Sequence, residues 1–184
     1  MKKLAAFLAF SLFSSSLWAQ QNLVWSMALV KNNESISFSR RVEMTNNDRF
    51  DIIIRTNQSC YAYIIIQDDE RMEIINRQLD TNETWTIGPV IITPPSGSET
   101  FHVVISLNEQ IELKNAINAY NNRQNTRTTR ALNNAVARAR REASLLSENP
   151  EKPIGMGGVF RGKEINGTEF SGSNIYVKTV VIHH

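Results

Sequence analysis

The chain is poor in cysteine, because Cys60 is the single thiol among 184 residues. One cysteine cannot form an internal disulfide, so no disulfide framework stabilises the fold. A structural zinc site built on two or more cysteines is excluded for the same reason. Glycine and proline number only 8 and 5, which excludes a collagen-like fibre. The hydrophobic fraction of 41% is typical of a globular protein, and the length suits one domain.

An excess of charge of one sign is also missing. The chain carries 20 basic and 18 acidic residues, a formal net charge of +2. Loss of an N-terminal leader that contains Lys2 and Lys3 makes the two signs equal. A neutral protein creates no global field that attracts nucleic acid, so we expect no nucleic-acid partner.

Residues 1–19 have the three-part pattern of a secretory signal peptide. Lys2 and Lys3 form the positive region, residues 4–13 are apolar apart from Ser11, and small residues precede a cleavage site after Ala19. The apolar stretch is shorter than the about 20 residues that a membrane span needs. We therefore expect residues 20–184 to form one periplasmic or secreted domain with no transmembrane span.

Short strand-like runs with turn signals between them dominate the rest of the chain. They predict a mainly β fold, either a sandwich-like structure or a partly open barrel. Gly88-Pro89 separates two of the runs, and the glycine-rich residues 155–158 indicate a flexible turn. The predicted strands are residues 35–42, 50–55, 61–66, 72–75, 85–87, 90–92, 101–105 and 175–182.

Apolar residues recur at helical spacing between about residues 108 and 148. This pattern predicts a two-helix insertion before the last strand. The two predicted stripes are Leu113, Ala116, Ile117 and Tyr120, and then Leu132, Ala135, Val136, Ala139, Ala143 and Leu146.

The insertion also carries an unusual run of positive charge, because no acidic residue occurs from Lys114 to Arg141. One interpretation is a contact surface for an acidic protein or for anionic lipid head groups. The other is a solvated helix face whose arginines pair with carboxylates elsewhere in the fold. The candidate partner-binding residues are Arg123, Arg127, Arg130, Arg138, Arg140 and Arg141.

No established catalytic motif occurs in the chain. Cys60 is the only thiol and His102 the only histidine within a predicted core strand, so a thiol enzyme would have to use this pair. The remaining histidines, His183 and His184, are neighbours that would point to opposite faces of a strand. We predict no catalytic residue, no metal ligand and no cofactor.

Residues 49–107 resemble an uncharacterised bacterial exported-protein family, domain of unknown function 4384. The order of features carries the resemblance: a strand from Phe50, the aromatic-rich strand Tyr61–Ile66, an acidic turn at Asp68, and an aromatic-to-proline stretch at residues 85–89. Glu70-Arg71 stands where the family often has a glycine. The resemblance implies an exported, mostly β domain, and it brings no catalytic residue.

These observations favour a non-enzymatic interaction or accessory module of the bacterial cell envelope. Its partner would be an envelope protein or another anionic surface. Two alternatives stay open at this level. One is a small periplasmic hydrolase or thiol enzyme that uses Cys60 and His102, and the other is a protein that binds anionic membranes through the arginine-rich helix.

Overall fold

The computed structural model describes residues 23–38, 41–68, 71–146, 152–160, 163–172 and 174–184. The predicted signal peptide, residues 1–19, lies outside these residues, as does the predicted helix stop at residues 149–150. The elements are β1 (Leu23–Lys31), β2 (Glu34–Ile36), β3 (Val42–Glu43), β4 (Arg49–Thr56), β5 (Cys60–Gln67), β6 (Met72–Leu79), β7 (Thr84–Ile91), β8 (Ser98–Ser106), α1 (Ile111–Asn122), α2 (Thr126–Leu146), β9 (Lys152–Phe160), β10 (Lys163–Gly172) and β11 (Ile175–His183).

The strands form two separate sheets, which confirms the mainly β, sandwich-like prediction. Sheet A has the order β7-β4-β1-β10-β9, with the short β2 also paired to β1. Sheet B has the order β3-β11-β8-β5-β6. No strand of the described chain joins the two sheets into a closed barrel. Both helices precede the last strand, β11, as predicted.

The main core lies between the sheets and is built from the alternate residues of each strand. Trp25 of β1 stacks on Phe170 of β10, with ring centroids 4.4 Å apart. Phe50 of β4 meets Phe101 of β8 edge-on across the sandwich, at 5.8 Å. Such geometries are favourable for aromatic pairs and add to the stabilisation from burial.

The two helices cover the outer face of sheet B. Leu132 and Val136 of α2 are buried together with Ile65 and Val104 of the sheet. The Tyr120 hydroxyl of α1 accepts a hydrogen bond from the Met72 amide at 3.0 Å. The predicted apolar stripes are therefore confirmed as packing surfaces. This holds for every member except Leu146, whose side chain lies outside the described part of the structure.

The glycine-rich residues 155–158 are part of strand β9, so the prediction of a flexible turn is wrong. Met156 and Ile165 face each other in the β9–β10 pair and are buried with Ala28, Val30 and Ile53 of sheet A. Gly167 permits this close packing, because a Cβ there would collide with the Met156 sulfur and lie 2.9 Å from the Met27 carbonyl oxygen. The free energy gained by burying Met156 and Ile165 outweighs the conformational entropy that the glycines lose in a strand.

The alternating pattern predicted one strand over residues 35–42, and this prediction is wrong. Their first part belongs to β2 in sheet A, whereas Val42 begins β3, which pairs in parallel with β11 in sheet B. The two described parts therefore belong to different sheets, and Phe38 and Val42 are both buried in the core. Phe38 and Val42 thus fill one core without belonging to a single strand.

Residues 85–87 and 90–91 belong to one strand, β7, rather than to two separate runs. Its pairing with β4 shifts between Phe50 and Ile52, so Gly88 and Pro89 form a bulge. Gly88 has a φ of 145°, and a Cβ there would lie 3.1 Å from the Phe50 carbonyl oxygen. Glycine is therefore the residue that this bulge accepts.

Candidate interaction surface

A row of arginines follows the exposed side of α2, and we call it the basic ridge. Its members are Arg127, Arg130, Arg138 and Arg141, with Arg123 just before the helix. Their spacing of three, eight and three residues keeps the helical members on one side, away from the buried Leu132 and Val136. From Arg127 to Arg141 the ridge is about 21 Å long, at 1.5 Å per residue.

Some arginines of the insertion are engaged within the fold. The guanidinium of Arg138 donates a hydrogen bond to the Glu112 carboxylate of α1 at 2.5 Å. Both side chains are more than half exposed, so this pair contributes little to stability. Arg140 donates to the Thr179 hydroxyl of β11 at 2.6 Å and therefore attaches α2 to sheet B. Arg140 lies beside the ridge rather than on it.

The other end of the ridge differs. Arg123, Arg127 and Arg130 are exposed, and no carboxylate of the described residues forms an ion pair with their side chains. The first turn of α2 contains no acidic residue. A positive side chain in the first turn of a helix opposes the helix dipole, which costs about 0.3–1 kcal/mol. Arg127, which lies in the first turn of α2, therefore does not stabilise that helix, whereas Arg123 lies at the C-terminal end of α1.

Asn125 compensates for part of this cost by capping α2. Its side-chain oxygen accepts hydrogen bonds from the amides of Arg127 and Thr128, at 2.9 and 3.1 Å. The Thr128 hydroxyl in turn accepts a hydrogen bond from the Asn125 amide at 3.1 Å. This reciprocal cap fixes the start of the helix and thereby the positions from which Arg127 and Arg130 project.

His102 lies beside Arg140 of α2 and is half-buried. Its Nδ1 is 3.2 Å from the Thr179 hydroxyl and 3.2 Å from the Arg140 guanidinium. A guanidinium can only donate, so Nδ1 is an acceptor and the ring is neutral. Burial lowers the pKa of His102 to about 4, and the charge of Arg140 acts in the same direction.

Cys60 and His102 do not form a catalytic pair. Cys60 is buried between the sheets, whereas His102 shares the opposite face of sheet B with the helices. His102 pairs with Ile65, five positions along β5 from Cys60, which is about 16 Å at strand spacing. Burial also raises the pKa of the Cys60 thiol to about 11, so the reactive thiolate is scarce at neutral pH. The geometry thus gives no support to a thiol enzyme that uses these two residues.

A cleft opens between β6, an edge strand of sheet B, and β7, an edge strand of sheet A, and we call it the edge cleft. Its volume is about 320 Å³, and it continues into a second hollow of about 360 Å³ beside the loop of residues 93–97. The residues common to both hollows are Asp68, Arg71, Thr93 and Glu99. The sequence did not single out this cleft, because its walls come from four strands and a loop.

Glu99 is the least exposed carboxylate of the edge cleft. It precedes Phe101 by two residues in β8, so it shares the inward face of that strand, and its side chain is 14% exposed. Burial raises the pKa of Glu99 above its ordinary value, while His184, whose Nε2 lies 3.9 Å away, acts in the opposite direction. Among the described residues, no group of three or more histidine, cysteine or acidic side chains is placed to hold a metal ion.

Comparisons with known proteins identify no relative: no family model, no curated protein and no solved structure matches the chain. The resemblance of residues 49–107 to domain of unknown function 4384 therefore stays a prediction. Within the described residues, neither helix combines the length and the apolar character needed to cross a bilayer.

Proposed function

We propose that the protein is an exported interaction module of the bacterial cell envelope, without enzymatic activity, which binds an acidic surface of a partner protein through the basic ridge. The observation that carries this proposal is the group Arg123, Arg127 and Arg130, which is exposed and lacks ion-pair partners among the described residues. The N-terminal pattern of residues 1–19 supports the exported location.

The position of the arginines supports a role in contact rather than in folding. Arg127 and Arg130 are like charges three residues apart, and such pairs destabilise a helix by a few tenths of a kcal/mol, roughly. An acidic partner would remove this repulsion and would also complement the positive end of α2. Charge complementarity of this kind accelerates association and selects among partners.

A protein partner fits the ridge better than a lipid surface does. Helices that lie in a membrane interface present apolar side chains to the acyl chains. The apolar side chains of α2, such as Leu132 and Val136, are buried against sheet B. Among the described residues, the exposed large hydrophobic side chains are Ile91 and Ile111, and neither lies on α2. Binding to anionic membranes is therefore the alternative that the experiment must distinguish from binding to an acidic protein.

The test compares two double charge reversals that change the net charge equally. Arg127→Glu with Arg130→Glu alters the ridge, and Arg49→Glu with Arg55→Glu alters exposed positions on β4 of sheet A. Each protein, including the wild type, is immobilised and used to capture envelope proteins of the source bacterium at physiological salt. We expect the ridge variant to lose about tenfold or more of a captured partner and the β4 variant to retain it.

Equal capture by the wild type and the ridge variant would refute the proposal, as would equal losses in the two variants. Vesicles of phosphatidylglycerol and phosphatidylethanolamine are sedimented with the same three proteins. Ridge-dependent sedimentation at physiological salt, with no captured protein partner, would replace the proposed partner with an anionic membrane.

A further inference from the structure

The two edge strands that line the edge cleft, β6 and β7, differ in a way that bears on binding. The edge strand β7 carries Pro89 and the bulge at Gly88, both of which obstruct pairing with another strand. The edge strand β6 contains neither proline nor glycine, and all eight of its residues pair with β5 in an unbroken register. The Met72 amide already donates to the Tyr120 hydroxyl, so the backbone of β6 from Glu73 onward is the more suitable template for an added strand.

Side chains of a strand added to β6 would alternate between the two faces of sheet B. Those on the inner face would enter the edge cleft, because the cleft lies on the side of β6 that faces β7. The inner face of β6 is defined by Leu79, which is buried in the main core, and by Ile75, which packs against that core. Glu73 shares this face two positions earlier.

The edge cleft combines an apolar floor with acidic walls. Ile66, Ile75 and Ile87 form the floor and are buried or half-buried. Glu73 and Glu99 contribute carboxylates, and Asp68 adds a third beside Arg71. An apolar floor and a carboxylate suit the methylenes and the terminal charge of a lysine or arginine side chain.

The far end of the gap between β6 and β7 is closed. Arg77 of β6 forms an ion pair with Glu83, which lies just before β7, at 2.5 Å. A cationic side chain that entered there would meet Arg77 beside one carboxylate, Glu83. One that entered beside Glu73 would meet three carboxylates, Glu73, Glu99 and Asp68, and one guanidinium, that of Arg71. The basic side chain of an added strand therefore belongs at the Glu73 end.

We propose that the protein binds an extended peptide segment, which adds to β6 as a further strand and places a lysine or arginine side chain in the edge cleft near Glu73 and Glu99. This is a second surface, separate from the basic ridge. Hydrogen bonds from the β6 backbone would supply affinity, and the cleft would select the side chain, as in other cases of strand addition.

The probe is a blocked seven-residue peptide of alternating lysine and valine, labelled for fluorescence anisotropy. One matched control is the same peptide with glutamate in place of lysine. The others are two N-methylated forms of the lysine peptide, one methylated at the lysine amides and one at the valine amides. Each form blocks the hydrogen bonds of one edge of the peptide strand. Strand addition requires the lysine peptide to bind, the glutamate peptide to fail, and one of the N-methylated versions to lose about tenfold or more in affinity.

The protein variants test the cleft. Glu73→Gln and Glu99→Gln remove charge with little change in shape, and each should weaken binding of the lysine peptide, Glu99→Gln by about tenfold. Glu142→Gln, on exposed α2, is the control and should leave binding unchanged. The ridge variant with Arg127→Glu and Arg130→Glu should also bind normally, so that the two proposals fail separately. Thermal melting confirms that each variant is folded.

Several results would overturn this proposal. Failure of the lysine peptide to bind at low salt would exclude the cleft as a peptide site. Equal affinity for both N-methylated versions and the parent peptide would show that no strand is added to β6. Equal losses from Glu142→Gln and Glu99→Gln would show that binding depends on overall charge and not on the cleft.

Discussion

His102 shows how one half-buried side chain couples the helical layer to the sheet. Its ring is neutral because Arg140 can only donate to Nδ1, and because the desolvated site disfavours a second positive charge. Arg140 also donates to Thr179, so the same arginine contacts two neighbouring strands of sheet B. An arginine from a run of positive charge thus has a structural role that its spacing in the sequence did not reveal.

The lowered pKa of His102 predicts acid sensitivity. The pKa is about 4 in the folded protein and near 6.5 in the unfolded chain, so the unfolded chain takes up the proton first. The stabilisation from the neutral ring is complete above about pH 6.5 and is lost as the pH falls toward 4. At most, about 3 kcal/mol of the free energy of unfolding depends on this residue.

This prediction is checked with His102→Gln, which removes the titration but keeps a polar side chain. Urea unfolding of both proteins is measured at several pH values between 7 and 4. We expect a shallower loss of stability in the variant than in the wild type. Parallel pH profiles would mean that His102 does not titrate differently in the two states.

At the scale of elements, α2 depends on its packing against sheet B. Val136 is 4% exposed, whereas its neighbour Ala137 lies on the exposed side of the helix. Val136→Asp should therefore lower the free energy of unfolding by about 3 kcal/mol or more, through the lost apolar contacts and the buried charge. Ala137→Asp should cost less than about 1 kcal/mol, mainly through helix propensity.

Chemical denaturation of the two variants measures this contrast, since both introduce the same side chain at adjacent positions. Similar small losses at both sites would show that α2 does not pack on the sheet in solution. The basic ridge would then belong to a mobile arm, and its arginines would not be held in the row from which we infer partner binding.

The elements that sequence reasoning located are those whose local pattern agrees with their packing. The β5–β6 hairpin, β8 and β11 are rich in β-branched residues, and both helices carry apolar stripes at helical spacing. β9 and β10 escaped prediction because glycines and polar residues dominate them, and their burial depends on contacts with β1 and β4, more than 100 residues away in the sequence. The split of residues 35–42 into β2 and β3 likewise depends on partners in two different sheets.

The candidate interaction surfaces also include one part that the sequence predicts and one part that it does not. Helical spacing alone predicts that Arg130, Arg138 and Arg141 lie away from the apolar stripe, and the structure confirms that they are exposed, as is Arg127. The partner of Arg138, Glu112, is 26 residues distant and belongs to another helix. The edge cleft could not be predicted from the sequence. The strand order of both sheets had to be known before Glu73 and Glu99 could be placed in the same cleft.

For the whole molecule, β11 is a strand of sheet B that contributes to both hydrophobic layers. It lies between β3 and β8 and pairs with β8 along its entire length, from Ile175 opposite Ser106 to His183 opposite Ser98. Its inward residues Val180 and Ile182 are buried in the main core, while Ile175 is buried under the helices. Removal of β11 would therefore open both hydrophobic layers and leave the β8 backbone without a partner on one side.

A chain that ends at Ser171 should consequently fail to fold. Exposing this apolar surface and leaving the β8 backbone unpaired would together cost more free energy than the roughly 5–15 kcal/mol that stabilises a typical domain. Thermal melting followed by near-ultraviolet circular dichroism should show a cooperative transition for the full chain and none for the truncated one. A cooperative transition of the truncated chain would place β11 outside the cooperative core, and the buried positions of Val180 and Ile182 would then contribute little to stability.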